Sequence, residues 1–262
     1  MTPPSVPAPT AAEPDADPQD GEEVVPFIRH AGGDHLDLRT YAFADPNDEV
    51  AGAGVDLAGQ WIGPTGLGMY GAVAATGYGT DDGGGAAIGG AAVGGLYRSR
   101  SGASALTFEL GAGFRGSPDL GGLFQAVYVQ PTELSRSLGG IWGHLAITPS
   151  LRSGDVFVAA TLAVDPKLAQ EHGNQLDGVS AIVTGAGSIG YLAGDTTLST
   201  GLAVIVPAGG NDASPIANLA AEIAQRWGSV SAYAALHAIA SSEGNDSVRF
   251  MKGVELGVRI SL

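Results

Sequence analysis

The chain ends in "SVRFMKGVELGVRISL", residues 247–262, where oily and hydrophilic residues change places at almost every step. Val248, Phe250, Val254, Leu256, Val258, Ile260 and Leu262 share one face, and Arg249, Glu255, Arg259 and Ser261 share the other. Only Lys252 intrudes on the apolar side. A period of two marks a β-strand with one apolar and one polar face. The run is far longer than the five or six residues usual in soluble sheets. A tilted strand that crosses a bilayer needs ~9–11 residues.

The pattern recurs upstream. Leu106, Phe108, Leu110, Ala112 and Phe114 alternate with Thr107 and Glu109, and Val156, Val158, Leu162 and Val164 with Asp155, Thr161 and Asp165. Ile141, Leu145, Ile147 and Leu151 alternate with His144, Thr148 and Ser150, and Val55, Leu57 and Trp61 with Asp56 and Gln60. Turn residues such as Gly63-Pro64-Thr65-Gly66, Ser153-Gly154-Asp155 and Gly228-Ser229 punctuate segments of 11 to 17 residues. Trp61, Phe114, Tyr191, Trp227 and Phe250 stand beside turns on the apolar parity of their strands, as the aromatic girdles of a membrane barrel require. Connections counted back from the C-terminus alternate long and short, as extracellular loops and periplasmic turns do. Pro166 followed by "KLAQEHG" predicts one helical turn inside the longest of them.

The terminal strand resembles that of Gram-negative outer-membrane β-barrels, whose apolar residues alternate up to a final residue that is usually Phe. Val254, Leu256, Val258, Ile260 and Leu262 match the alternation, with Leu in the last place. The resemblance covers residues 50–262 as a pattern. It implies an all-β, transmembrane, antiparallel up-and-down barrel in the bacterial outer membrane, with the lipid bilayer as its partner. Twelve strands are expected from residue 50 onward, including segments 86–99 and 119–130. "HLDLRTYAFA", residues 35–44, and "EVVPFIRH", residues 23–30, would raise the count to fourteen.

Residues 1–33 read as a disordered, acidic, Pro-rich periplasmic tail ahead of a barrel over 34–262. Residues 1–26 hold seven prolines and six acidic residues, too little apolar surface to offset the entropy of ordering. This stretch has no basic n-region or apolar h-region, so the sequence is expected to be a form whose signal peptide has been cleaved. A tail of this kind could reach a periplasmic or outer-membrane protein partner.

Composition excludes several classes. With 27 Asp and Glu against 12 Lys and Arg, the formal charge is −15, and no nucleic-acid partner is expected. The absence of cysteine removes thiolate metal sites and a Cys nucleophile, and suits a cell envelope. His30, His35, His144, His172 and His237 have no catalytic neighbours in sequence, and no Gly-x-Ser-x-Gly elbow exists. No catalytic residue, cofactor or metal is therefore expected, and "DHLD", residues 34–37, reads as a solvated turn.

Two stretches compete with the barrel reading. "VSAIVTGAGSIG", residues 179–190, carries the G-x-G-x-x-G spacing of a dinucleotide fold at Gly185, Gly187 and Gly190. No helix pattern follows it and no βα alternation precedes it, so it reads as a glycine-bearing strand. "SPIANLAAEIAQRWG", residues 214–228, has a helix's cap, Pro and i,i+4 pair, yet strands flank it and strand is preferred.

The inward parity then collects Asp56, Glu109, His144, Glu222, Arg226, His237, Arg249, Glu255 and Arg259 as lumen-lining residues. They could form a salt-bridge network that stiffens or plugs the barrel, or a polar passage for small solutes. The functional expectations are a porin-like passive or weakly selective channel or, alternatively, a structural barrel anchoring an envelope assembly through its tail.

Overall fold

The computed structural model describes residues 26–28, 30, 32–45, 50–80, 83–115, 132, 140–169, 178–209, 214–243 and 247–262. Twelve strands form the wall. The first six are β1 (His35–Asp45), β2 (Val50–Ile62), β3 (Leu67–Thr80), β4 (Gly83–Ser101), β5 (Ser104–Arg115) and β6 (Gly140–Ser153). The rest are β7 (Val156–Ala169), β8 (Val179–Ala193), β9 (Thr196–Gly209), β10 (Ile216–Trp227), β11 (Val230–Glu243) and β12 (Ser247–Ser261). Each pairs antiparallel with its sequence neighbours, and β1 closes the ring on β12 from His35↔Ser261 to Ala44↔Lys252. Strands of 11 to 19 residues are long enough to cross a bilayer at a tilt.

The ring reaches twelve by a different route from the one expected. Residues 35–44 are a wall strand, β1, and β5 pairs directly with β6. The strand expected over 119–130 lies outside the described residues. The fourteen-strand alternative fails, because Pro26, Phe27, Ile28 and His30 are in no strand. "SPIANLAAEIAQRWG" forms strand β10, since Leu219 and Ile223 point outward while Asn218 and Glu222 are buried. The helical turn expected from Pro166 is absent: Pro166 pairs with Ala181 and Lys167 with Trp142, so Pro166 to Ala169 prolong β7. Residues 170–177 lie outside the described part.

Short turns gather at one end of the cylinder. Four of them open on a glycine with positive φ, at Gly102, Gly154, Gly194 and Gly228, and their second residue has none. That is the type II′ pattern, whose twist suits a hairpin. The opposite end carries the connections 46–49, 81–82, 116–139, 170–178, 210–215 and 244–246.

Every strand sends large apolar side chains outward, among them Leu38, Leu57, Leu110, Leu202, Leu219 and Leu256. Leu110 is 66% exposed and Leu256 58%. Water would penalise such a surface at ~25 cal/mol per Å², whereas lipid accepts it. Closure gives every strand a neighbour on both sides, as hydrocarbon demands of the spanning part.

Glycine has a specific use inside. Tyr41 faces Gly54, Phe43 faces Gly52, Tyr70 faces Gly94, Phe157 faces Gly190 and Tyr233 faces Gly257, each directly across a strand pair. A Cβ at Gly190 would sit 2.0 Å from the Phe157 ring, and one at Gly257 2.1 Å from that of Tyr233. Each inward ring therefore lies flat over its neighbour's missing side chain. The third glycine of the apparent nucleotide fingerprint, Gly190, is one of these seats, and all three of its glycines lie within strand β8. Gly190→Leu should overpack the wall and cost ~1–3 kcal/mol. A lower urea midpoint for the folded barrel in detergent checks this; an unchanged midpoint would mean the Phe157 ring moves aside freely.

Candidate functional site: the barrel lumen

Inward alternation places most of the expected lumen residues inside. Asp56, Glu109, His144, Glu222, His237, Glu255 and Arg259 are all buried. Arg226 stands half-exposed at the short-turn rim, 3.7 Å from Asp195. Arg249 lies on β12, but its side chain is outside the described part, as is that of Phe250. Of the expected girdle, Trp61, Tyr191 and Trp227 are exposed on the outer wall near the short turns, and Phe114 near the other end. Tyr97, on β4, is also exposed beside the short turns and was not among the expected girdle residues.

The charged groups divide into two networks. The first is centred on Asp37, fully buried on β1. Its Oδ2 accepts hydrogen bonds from Arg39 Nε at 3.0 Å and Nη2 at 2.7 Å, and from Arg259 Nη2 at 2.9 Å. Tyr233 Oη donates to Asp37 Oδ1 at 2.9 Å. Arg39 Nη1 lies 3.3 Å from Glu255 Oε1, and Glu255 Oε2 is 3.2 Å from His237 Nε2. Strands β1, β11 and β12 are thus stitched across the seam by charge-assisted bonds, the stronger kind.

The second network lies across the lumen. His144 Nδ1 is 2.8 Å from Asp165 Oδ1, and its Nε2 is 3.5 Å from Glu109 Oε2. The same Glu109 oxygen is 3.5 Å from His30 Nε2, while His30 Nδ1–H donates to Gln60 Oε1. The Tyr70 ring is 4.7 Å from the His30 ring and 6.3 Å from that of His144. No group of three or more His, Cys, Asp or Glu fit to hold a metal ion occurs among the described residues.

His30 belongs to neither wall nor loop. It sits on the segment that precedes β1, and that segment is inside the barrel. The tail expected over 1–33 lies outside the described residues up to residue 25; from Pro26 onward its described residues are packed within the lumen. Phe27 and Ile28 rest on Phe157, Ala159, Ala186, Ala203 and Ala220. Ser188 Oγ donates to Pro26 O at 2.6 Å, and Thr132 Oγ1, in the β5–β6 connection, donates to Phe27 O at 2.7 Å. Gln60 Nε2 donates to Gly32 O at 2.9 Å and Gly33 O at 2.7 Å, and Arg98 also donates to Gly32 O. Phe27 has φ of 66°, positive as in no other described non-glycine residue. Such a conformation costs ~1–3 kcal/mol and persists only where its surroundings hold it.

"DHLD" is not a solvated turn. Leu36 and Leu38 point outward, which turns His35 and Asp37 into the lumen, where both are buried. Asp37 and Arg39 were not among the expected lumen residues, although the alternation along β1 is a signal that would have found them; the pairing role of Tyr233 and the docking of the described residues from Pro26 to Gly33 carried no such signal. Toward the loop end the lumen turns apolar, with Tyr41, Phe43, Trp142, Ile182, Ile205 and Ile239 packed together. At the short-turn mouth lies a cavity of about 1100 Å³, walled in part by Gly33, Asp34, Arg98, Arg100 and Arg226.

A closed ring with an oily exterior and charged interior defines the class: a transmembrane β-barrel of the outer-membrane type. No family model matches the chain, and no curated protein matches it. Solved structures do. The COG4313 outer membrane channel from Pseudomonas putida F1 superposes with a TM-score of 0.63 at 10% identity, over 94% of this chain and 100% of that one. The NanC porin gives 0.57 at 10% identity, over 87% and 100%. The translocator domain of the autotransporter NalP from Neisseria meningitidis gives 0.52 at 11%, over 90% and 91%. Identities this low share architecture.

Proposed function

We propose that this chain is an outer-membrane channel that passes small polar solutes by passive, weakly selective diffusion. The observation that carries the reading is the segregation of charge: Asp56, Glu109, Asp165, Glu255 and Arg259 line the inside of a ring whose outside is Leu, Val and Ile. Hydrocarbon rejects such charges, and a fold that needed only to anchor itself would fill its centre more cheaply with apolar side chains. A ring of twelve strands is also wider than the ~8 that side chains fill unaided, and narrower than the ~16–18 of open channels. Similarity to porins and an outer-membrane channel favours passage over catalysis. The carboxylates and imidazoles are engaged with one another, which suits a selectivity lining better than a reacting centre.

The test is electrical. The full chain, folded in detergent and showing heat-modifiable migration, should give discrete conductance steps in planar bilayers. Folded protein that inserts yet stays silent at every voltage, even when the segment preceding β1 is displaced from the lumen, would overturn the channel reading. Fractionation of the producing cell should place the chain with the outer membrane; recovery in the soluble fraction would contradict that placement.

A further inference from the structure

The described residues from Pro26 to Gly33 occupy the path that the channel reading needs. We infer that the wall facing them is a peptide-binding lane, that its resident ligand is the chain's own segment, and that this segment is a displaceable plug. The inference rests on the channel reading and names its regulation. The ligand class is a short, turned peptide with an aromatic–aliphatic pair and a histidine two residues after it.

Four observations carry it. The ring is complete without the segment, because every strand already has both neighbours. The wall holds the segment by its backbone carbonyls, as a peptide is held: Ser188 on Pro26, Gln60 on Gly32 and Gly33. Water can replace each of these bonds when the segment leaves. The seat for the side chains is shaped to size. A Cβ at Gly201 would come within 3.1 Å of the Phe27 ring, so the missing side chain there leaves the ring its room, and small alanines form the floor. Finally, Phe27 is held in a left-handed conformation, so departure releases strain.

The plug is latched at the far end of the lane. His30 bridges Gln60 and Glu109, and Glu109 in turn faces His144. Phe27 and Ile28 give the apolar grip, and this latch gives the register.

The chain contains no cysteine, so a single thiol reports on one site. Full-length Ile28→Cys should be protected from a membrane-impermeant maleimide, because Ile28 is buried. The full-length double variant Phe27→Asp, Ile28→Asp places two carboxylates on the alanine floor. It should still show heat-modifiable migration, since the wall is untouched. A minor open state populated at ~0.1–10% in the parent should rise about tenfold or more in the variant. A synthetic peptide of residues 24–33 added to the variant should restore the quiet state in proportion to dose, and the same peptide with Phe27→Ala should not.

Equal conductance in parent and variant would overturn the plug, as would rapid labelling of Ile28→Cys in the native chain. If parent and variant are both silent while Ile28→Cys stays protected, the channel reading itself fails, and the segment is a fixed part of the interior. Conductance therefore reports on the channel and thiol protection on the occupied lane.

Discussion

Asp37→Ala is expected to destabilise the folded barrel by about 3–5 kcal/mol, the cost of leaving a buried charge without its partner. The carboxylate receives Arg39, Arg259 and Tyr233, and none of these side chains has water to turn to. Its loss takes a shared carboxylate from two buried guanidinium groups beside the seam, of which Arg39 also has Glu255 at 3.3 Å. Urea unfolding followed by tryptophan fluorescence should show the midpoint fall sharply, with Asp37→Asn intermediate because the amide still accepts hydrogen bonds. A midpoint within error of the parent would mean that the lumen there is wet enough to solvate the arginines, and the seam would need another explanation.

The exterior makes an equally large demand. Leu256 lies mid-strand on β12, between Thr40 and Ala234, and faces outward. Leu256→Arg should cost ~2–4 kcal/mol in a lipid bilayer, the cost of a guanidinium near the midplane. Val230→Arg, beside the Gly228-Ser229 turn, should cost only ~0–1 kcal/mol, because its charge reaches the interface. Reversible folding into liposomes measures both. Equal penalties at the two depths would remove the apolar belt as the reason for the outward leucines.

Alternation made most of the wall readable. A strand that separates lipid from lumen must keep strict period two, and β5, β7, β10 and β12 do so in their residues. Period two also hides nothing about depth, so the aromatic positions beside turns could be read with it. It fails where the backbone departs from register. A shift between Val179 and Ala181 turns Val179 inward, although simple parity would send it out with Val183. In β4 the smallness of "GGGAAIGGAAVGG" erases the contrast between faces, since glycine and alanine fit either.

The lumen's chemistry was only half legible for a related reason. Parity says that Glu109 and His144 point inward, but not that they meet one another. It also cannot place residues outside any strand. Phe27 and Ile28 form too short an apolar pair for periodicity, and the prolines before them dominate the composition. Their meaning depends on alanines more than 130 residues away, brought together by closure of the ring.

The seam at β1 and β12 has a consequence for the segment inside the cylinder. β1 is one lip of that seam and also the direct continuation of the segment lying inside, with Asp34 O accepting from Leu262 N and Asp34 Oδ1 from Ile62 N at the junction. Zippering these two strands therefore moors whatever hangs from the first of them to the short-turn rim. A stopper tied to the vessel's lip can leave the bore without being lost, and its return needs no search.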